Sequence, residues 1–208
     1  MKSERTKQLI ITEALRLFAS NGYDATTMEQ IARAANMKTP SLYNHFPGKQ
    51  AIFEAVVDYC KEECARLVEN SHLYLKHGSA EQRILSMTVE DQINDVKRLF
   101  RFTLHSEFPS LFHRLLVVEQ YRHTRLAVEY NRYIVEKQLQ IFTDLARIMI
   151  ANGRIVSGDP EAIALQYVSP ISLLLELCFR QPEKEQLALE LLEEHIRQFN
   201  RVYVVKPS

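Results

Sequence analysis

The chain has 208 residues, and its 26 basic and 26 acidic side chains cancel to a formal net charge of zero. This length leaves room for one small domain and one larger domain, and the balanced charge excludes a uniformly basic or acidic protein. Only five glycines occur, and no strand-like alternation is present, so we expect an all-α fold. The three cysteines lack the number and spacing of a disulfide framework, which suits a reducing cytoplasm.

We expect neither a secretory signal nor a membrane span. The segment Met1–Lys7 is charged, and no apolar segment follows it. The longest uncharged run, residues 162–175, is shorter than the roughly 20 residues that cross a bilayer. The predicted location is therefore the cytoplasm.

Two helices are predicted at the N-terminus. The first covers about residues 3–20 and ends at Gly22, since glycine readily adopts the left-handed conformation that closes a helix. The second has an apolar face at helical spacing, made by Met28, Ile31, Ala32 and Ala35. Either Thr26 or Thr27 can begin it, because each is followed three positions later by the Glu or Gln of a capping box.

A third helix is predicted after a break at Asn36. Thr39 offers a cap oxygen, and Pro40 lies in the first turn, where a proline costs nothing. Leu42 and Phe46 would face inward, while the polar side chains between them point elsewhere. The first 46 residues would thus form three helices, the minimum that gives a helix-turn-helix its own small core.

The charge is unevenly distributed along the chain. Residues 1–50 carry seven Lys or Arg and four Asp or Glu, a net charge of +3, which leaves −3 for the remainder. The third predicted helix has small and polar side chains and follows a tight turn, which is typical of a helix that lies in the DNA major groove. The mildly basic N-terminal segment agrees with DNA binding but would not indicate it alone.

The N-terminal segment resembles a known family. It is similar to the N-terminal domain of TetR-type transcriptional regulators over about residues 5–60, and the similarity is carried by Phe18–Thr27, Ile31-Ala32, Leu42–Phe46 and Lys49. Ser41 and Gly48 depart from the family pattern, which commonly has Gly and Ser at these places, but both residues are small. The resemblance implies a helix-turn-helix DNA-binding domain over residues 1–50 and a larger helical regulatory and dimerisation domain over residues 51–208.

The residues expected to contact DNA lie on and around the second and third helices: Thr26, Thr27, Lys38, Thr39, Pro40, Ser41, Tyr43, Asn44, His45 and Lys49. The expected base readers are Thr39, Pro40, Ser41 and Asn44. An Asn pairs with adenine, and Thr or Pro can contact a thymine methyl group. Lys38 and Lys49 stand near helix N-termini, which favour phosphate, and the resemblance adds Tyr43 as a phosphate contact.

Each of these candidates has a simpler interpretation. Tyr43 could merely cover the edge of the core, and His45 could be partly packed. Thr27 could serve only as a cap, and Lys38 and Lys49 could be ordinary surface lysines.

The rest of the chain is also predicted to be helical, over about residues 48–71, 81–107, 110–119, a stretch reaching 151, 160–180 and 182–202. Phe108-Pro109 should end one of these helices, and Pro170 should kink another. The last helix carries a stripe with steps of three and four residues. We expect a homodimer through a four-helix bundle, with contacts from Leu174, Cys178, Leu189, Leu192, Ile196 and Phe199. Burial of these residues inside one core is the alternative.

Aromatic side chains crowd the middle helices, the segment that lines the ligand pocket in the family. The predicted ligand contacts are Phe100, Phe102, His105, Phe112, Tyr121, Tyr130 and Tyr133, although aromatic residues at helical spacing are most often core. We expect a small, largely apolar or aromatic effector that shifts the population towards a form unable to bind DNA.

Neither an enzyme nor a metal or cofactor site is predicted. Cys60 and Cys64 lie four apart, which is weak as metal spacing, and Glu119 with His123 resembles a surface pair. The favoured function is a ligand-responsive repressor that binds an inverted repeat in double-stranded DNA. The alternative is a DNA-binding protein of the same fold that a protein partner controls, or that acts architecturally. A small helical enzyme would need converging acid and base groups, and none is found.

Overall fold

The structure, a computed structural model, describes residues 2–70, 82, 84–122, 124, 127, 128 and 131–205. The α-helices with described bounds are α1 Lys2–Asn21, α2 Met28–Ala34, α3 Thr39–Tyr43, α4 Lys49–Asn70, α5 Val89–His105, α6 Glu107–Glu119, α7 Lys137–Ala151, α8 Pro160–Arg180 and α9 Glu185–Tyr203. Residues 82, 84–86, 124, 127 and 128 are also helical. A π-helical segment, Asn131–Glu136, precedes α7, and a 3₁₀ turn, Pro182–Lys184, precedes α9. The all-α prediction is confirmed.

The chain divides into two compact units. Unit 1 comprises Met1–Ser71 and Glu107–Tyr130, and unit 2 comprises His72–Ser106 and Asn131–Ser208. The helix α6 therefore belongs with the N-terminal helices, although it follows α5 in the sequence. The domain boundary at residue 50 remains a prediction.

Unit 1 is built around α1, which packs against α2, α4 and α6. The largest fully buried side chains of this unit are Ile10, Leu15, Phe18, Ile31, Leu42, Ile52, Leu115 and Leu116. Phe18 meets Phe53 of α4 edge to face, with 5.4 Å between ring centroids, a favoured aromatic geometry. The short helix α3 is held by α2, against which it packs.

The two ends of the α1–α2 connection are fixed by local chemistry. Gly22 adopts a φ of +82°, and its N–H donates to the Phe18 carbonyl at 3.0 Å, so α1 ends as predicted. Of the two candidate caps, the structure selects Thr27. Its hydroxyl accepts from the Gln30 N–H at 3.2 Å, and the Gln30 side-chain oxygen accepts from the Thr27 N–H at 2.7 Å. This reciprocal pair is the capping box.

Unit 2 is centred on α8, which packs against α5, α7 and α9, while α9 also packs on α5. Its main core comprises Ile93, Phe100, Leu174, Cys178, Ala188, Leu189, Leu192 and Ile196. Charged pairs between α5 and α9 flank this core. Arg197 donates to Glu90 at 2.9 Å, and the hydrogen bond from Lys97 lowers the pKa of Glu193, with Arg197 as the next cause.

Two predicted boundaries around α5 and α6 are wrong. The predicted helix over residues 81–107 is interrupted, since residues 84–86 are helical but 87 and 88 are not. The helix α5 begins at Val89, where the Thr88 hydroxyl accepts from the Asp91 N–H at 3.1 Å and forms a capping box. Phe108-Pro109 does not end a helix but lies in the first turn of α6. A proline there removes only an N–H that the helix does not use.

The uncharged run at residues 162–175 is part of a longer helix. Among the described residues, α8 alone has the length and apolar composition to cross a membrane. In its most apolar stretch of 18 residues, 28% is buried. One such helix is weak evidence for a membrane span, since core helices of soluble proteins pass the same test.

The burial of α1 leads to a stability prediction. Leu15 is 1% exposed and Leu9 on the same helix is 44% exposed. Replacement of Leu15 by Ala should lower the free energy of unfolding by about 2–5 kcal/mol, because the cavity adds to the lost burial. Leu9→Ala should cost less than about 1 kcal/mol, since much of this side chain is already in water. Urea unfolding of both variants measures the difference, and equal losses would contradict the packing of α1.

Candidate nucleic-acid interface

The turn between α2 and α3 is sharp and is stabilised by backbone hydrogen bonds. The Asn36 N–H donates to Arg33 at 3.0 Å, and the Met37 N–H donates to Ala32 at 2.9 Å. Asn36 has a φ of 53°, a left-handed conformation that asparagine tolerates better than most residues. Ala32 is buried, so α2 and α3 approach each other closely at this turn.

The helix α3 has one buried side chain and a polar outer face. Leu42 is fully buried, whereas Lys38, Pro40, Ser41 and Asn44 are exposed. A helix fixed in this way presents small polar side chains to solvent without using them for its own packing.

The remaining side chains around α3 differ in exposure. Thr39 and His45 are half-buried. Tyr43 is 51% exposed, so about half of it is open to solvent. The predicted cap at Thr39 is wrong, because Lys38 occupies the N-cap position and no side chain caps the helix.

One predicted DNA contact is corrected by the structure. Thr26 is fully buried, and its hydroxyl donates to the Gly22 carbonyl at 2.8 Å. The hydroxyl is used to hold the α1–α2 turn and does not face solvent. Thr27 is exposed, and its hydroxyl caps α2 as described above.

Lys49 has a structural role that the sequence did not indicate. Its Nζ donates to the Tyr23 carbonyl at 2.8 Å and to the Asp24 carbonyl at 3.3 Å. The same Nζ lies 4.3 Å from the centroid of the Tyr23 ring, a cation–π distance. An ammonium group has three donors, so these two bonds leave Lys49 one donor for a phosphate.

Tyr23 is the residue of this region that the predicted site lacked. Its hydroxyl donates to the Gln50 side chain at 2.9 Å, and its ring lies 4.7 Å from that of Phe53. Burial raises the pKa of Tyr23, with smaller contributions from Asp24 and Glu54. Tyr23 lies inside the segment Phe18–Thr27 that carries the family resemblance, so this motif could have identified Tyr23 as a residue of the site.

The predicted ligand contacts do not gather into one site within either unit. In unit 2, Phe100 is buried in the core, whereas Phe102 and His105 are exposed. The His105 Nε2 lies 2.9 Å from a carboxylate oxygen of Glu185.

The other predicted ligand contacts lie in unit 1 or outside the described side chains. Phe112 is buried and stacks on Phe108, with 6.0 Å between centroids, while Tyr121 is 89% exposed. Phe100 and Phe112 are therefore core residues, as the simpler interpretation held. Tyr130 and the side chain of Tyr133 lie outside what the structure describes.

Most of the predicted dimer contacts are also corrected. Leu174, Cys178, Leu189, Leu192 and Ile196 all lie in the core of unit 2. The stripe on α9 thus packs against the chain's own helices, which was the alternative. Phe199 is half-buried and packs beside the smaller cluster around Ile155 and Ile163.

A different face of α8 and α9 carries exposed apolar side chains. They are Leu165, Leu173, Leu187, Leu191 and Val202. An open groove of about 470 Å³ includes Leu165 and Val202 of this set and is lined mainly by apolar groups, among them Pro170, Phe199 and Tyr203.

Within the described part of the chain, no group of three or more His, Cys, Asp or Glu could hold a metal ion. Cys60 is buried in unit 1. Glu119, predicted at the surface, is fully buried.

Comparisons with known proteins agree with this geometry. The family model for bacterial regulatory proteins of the tetR family matches residues 10–56. The biofilm operon icaADBC negative transcriptional regulator IcaR of Staphylococcus aureus is 46% identical over 54 residues, which are 26% of this chain and 29% of IcaR. IcaR of Staphylococcus epidermidis is 41% identical over the same length. The chain thus spans less than a third of the curated relatives it matches.

Solved structures resemble the chain over nearly its whole length. A TetR-family regulator from Mesorhizobium loti has a TM-score of 0.72 at 21% identity, covering 99% of this chain and 100% of that one. The SmeT–triclosan complex has a TM-score of 0.69 at 17% identity, covering 97% and 93%. The flavonoid-responsive regulator FrrA has a TM-score of 0.62 at 22% identity, covering 98% and 100%.

The N-terminal unit contains a helix-turn-helix, and the family match indicates which kind of helix-turn-helix protein it resembles. Residues 10–56 match the tetR family of bacterial regulatory proteins by sequence. The chain as a whole shares the fold of the solved TetR-family regulators.

The contacts of Lys49 lead to a second prediction. Lys49→Met keeps the aliphatic length but removes both hydrogen bonds to the turn, so the free energy of unfolding should fall by about 1–2 kcal/mol. Lys38→Met is the matched control. Lys38 is exposed, so loss of its ammonium group should change the free energy of unfolding by less than about 0.5 kcal/mol. Urea unfolding measures both, and equal stabilities for the two variants would contradict the role of Lys49.

Proposed function

We propose that this protein is a sequence-specific DNA-binding transcriptional repressor, located in the cytoplasm, that binds an inverted repeat as a homodimer. The observation that carries the proposal is the helix α3, whose buried Leu42 fixes it on α2 while its polar face stays exposed. The relatives agree, since IcaR is named a negative transcriptional regulator and SmeT the repressor of a multidrug efflux pump.

The side chains divide by what they can contact. Pro40, Ser41 and Asn44 are exposed on α3 and are proposed to read base edges, together with the half-buried Thr39. The Asn44 amide offers both a donor and an acceptor, which match adenine in the major groove.

Phosphate contacts would set the position of α3 in the groove. Lys38 is exposed beside the first turn of α3, and Tyr43 at the end of α3 is also exposed. Thr27, His45 and the remaining donor of Lys49 are proposed to add to this set. Such contacts position the protein on the duplex but carry no sequence information.

A dimer is needed because one recognition helix reads too few base pairs to be selective. Two-fold symmetry places a second helix one turn of DNA away, and it reads the other half-site. We propose that the exposed apolar face of α8 and α9, marked by Leu173 and Leu191, forms the four-helix interface in place of the buried stripe.

The effector is proposed to be a small, largely apolar or aromatic molecule. Support comes from similar proteins, one solved as a complex with triclosan and another named flavonoid-responsive. The burial of Phe100 and Phe112 in cores favours the second candidate, a regulator of the same fold controlled by a protein partner or acting architecturally. Calorimetric titration of triclosan, with and without bound duplex, separates the two candidates. Linked changes in the two affinities support an effector.

Selection of bound duplexes from a random pool tests DNA reading. The protein should enrich an inverted repeat, and Asn44→Ala should relax the preference at one position of each half-site, a loss of about 1–3 kcal/mol there. Lys38→Ala is the control, since loss of a phosphate contact should weaken binding to all sequences alike and lower the salt slope by about one. An unaltered consensus for Asn44→Ala would remove Asn44 from the base readers. The absence of any enrichment would contradict sequence-specific binding.

The interface proposal predicts the effect of a charge on α8. Leu173 is 69% exposed, so Leu173→Glu should fold normally but dissociate the dimer, because the interface would bury a carboxylate that has no opposite charge beside it. Sedimentation equilibrium should show a monomer for this variant and a dimer for the parent protein. The control is Leu9→Glu on α1, which should remain dimeric. A dimeric Leu173→Glu protein would contradict this interface.

A further inference from the structure

The peptide unit of Tyr23 is held from two sides. Its N–H donates to the Glu119 Oε1 at 2.8 Å, and its carbonyl accepts from the Lys49 Nζ at 2.8 Å. Glu119 is the last residue of α6 and is fully buried. A buried carboxylate that accepts a backbone N–H forms a charge-assisted hydrogen bond, stronger than one between neutral groups.

The approach of Glu119 depends on the glycine before Tyr23. A methyl group built on Gly22 would lie 3.1 Å from the Glu119 Oε1, closer than ordinary van der Waals contact. Gly22 also has a φ of +82°, which a residue with a side chain rarely adopts. The glycine thus serves both the end of α1 and the carboxylate contact.

Tyr23 is hydrogen-bonded at the starts of both helices that flank the proposed recognition helix, α2 and α4. Its carbonyl accepts from the Thr26 N–H at 3.2 Å, directly before the cap of α2 at Thr27. Its carbonyl and hydroxyl bind Lys49 and Gln50 in the first turn of α4. Displacement of Tyr23 would therefore move the starts of α2 and α4 together.

The helix α6 is also tied to α1 at its other end. Arg16 donates to Glu107 at 2.6 Å, but the two side chains are 41% and 61% exposed. An exposed ion pair contributes little, whereas the buried bond of Glu119 contacts the α1–α2 turn itself.

We infer that Glu119 is a positioning residue for DNA binding, through which the end of α6 fixes the helix-turn-helix by way of Tyr23. The inference rests on the proposed DNA-binding function. Glu119 lies outside residues 10–56, which the family model matches, so the DNA-binding unit of this chain includes a residue from far along the sequence.

Two substitutions separate the hydrogen bond from the charge. Glu119→Gln keeps an acceptor oxygen at the same reach and removes the charge. Glu119→Asp keeps the charge but is shorter by one methylene group, which places its oxygens beyond hydrogen-bond distance of Tyr23. Glu107→Gln is the matched control, since it changes the exposed carboxylate on the same helix.

The readouts are affinity for the duplex selected by the parent protein, its dependence on salt, and amide hydrogen exchange. Glu119→Gln should bind within about threefold of the parent, and Glu119→Asp should bind about tenfold more weakly with a shallower salt slope, because misplaced helices lose phosphate contacts. The Tyr23 amide should exchange faster in Glu119→Asp. The Gly22 amide, bonded to Phe18, should be unchanged.

The opposite order, with Glu119→Asp like the parent and Glu119→Gln weakened, would overturn the inference, as would equal affinities for both variants. Failure of the parent protein to select any duplex would instead defeat the proposed function.

A second pair of variants covers the case in which Glu119→Asp does not fold. Gly22→Ala places a methyl group against the Glu119 oxygen, and Gly153→Ala adds one at a φ of +64° with no atom within 4 Å. Both variants carry backbone strain, but only Gly22→Ala should weaken DNA binding, again by about tenfold. Equal affinities for these two variants would overturn the inference.

Discussion

A helix of five residues cannot hold its shape in water, because the cost of the first turn is not recovered over so short a length. The helix α3, Thr39–Tyr43, therefore depends on its contacts with α2. Leu42 supplies the buried anchor, and Ile31 and Ala32 of α2 are buried as well. This packing fixes the backbone of α3 before DNA binds, which a recognition surface requires.

The fixation extends through α1 to residues distant in the sequence. The capping box of Thr27 and Gln30 sets the start of α2, and Lys49 ties α4 to the preceding turn. Glu119 adds a contact from α6 to the same turn. Unit 1 is thus larger than its helix-turn-helix, since α6 packs on α1 and belongs to the same unit.

The N-terminal helices could be predicted well because their signals are local. Gly22 and the apolar spacing around Ile31 act within a few residues and require no knowledge of tertiary contacts. The choice between Thr26 and Thr27 could not be made, since both have the same local pattern. Only the burial of Thr26 against the Gly22 carbonyl distinguishes them.

The packing of unit 2 was predicted less well because its signals are tertiary. The helix α9 has two apolar stripes, one with Leu192 and Ile196 and another with Leu191 and Val202, and both have helical spacing. The sequence cannot tell which stripe faces α5, and the structure places Leu192 and Ile196 in the core. Aromatic residues such as Phe100 likewise have the same spacing whether they line a pocket or fill a core.

Whether the Asn44 side chain contacts a base in the DNA complex tests the proposed function most directly. The measurement is the NMR shift of its side-chain amide when the labelled protein is saturated with its selected duplex or with a scrambled one. The Asn152 amide, which donates to Ile148 at 2.9 Å, serves as the internal reference. A large shift of Asn44 with the selected duplex alone, and none at Asn152, is the expected result, because a base contact changes the amide's hydrogen bonding. An unchanged Asn44 in the saturated complex would contradict base reading by α3.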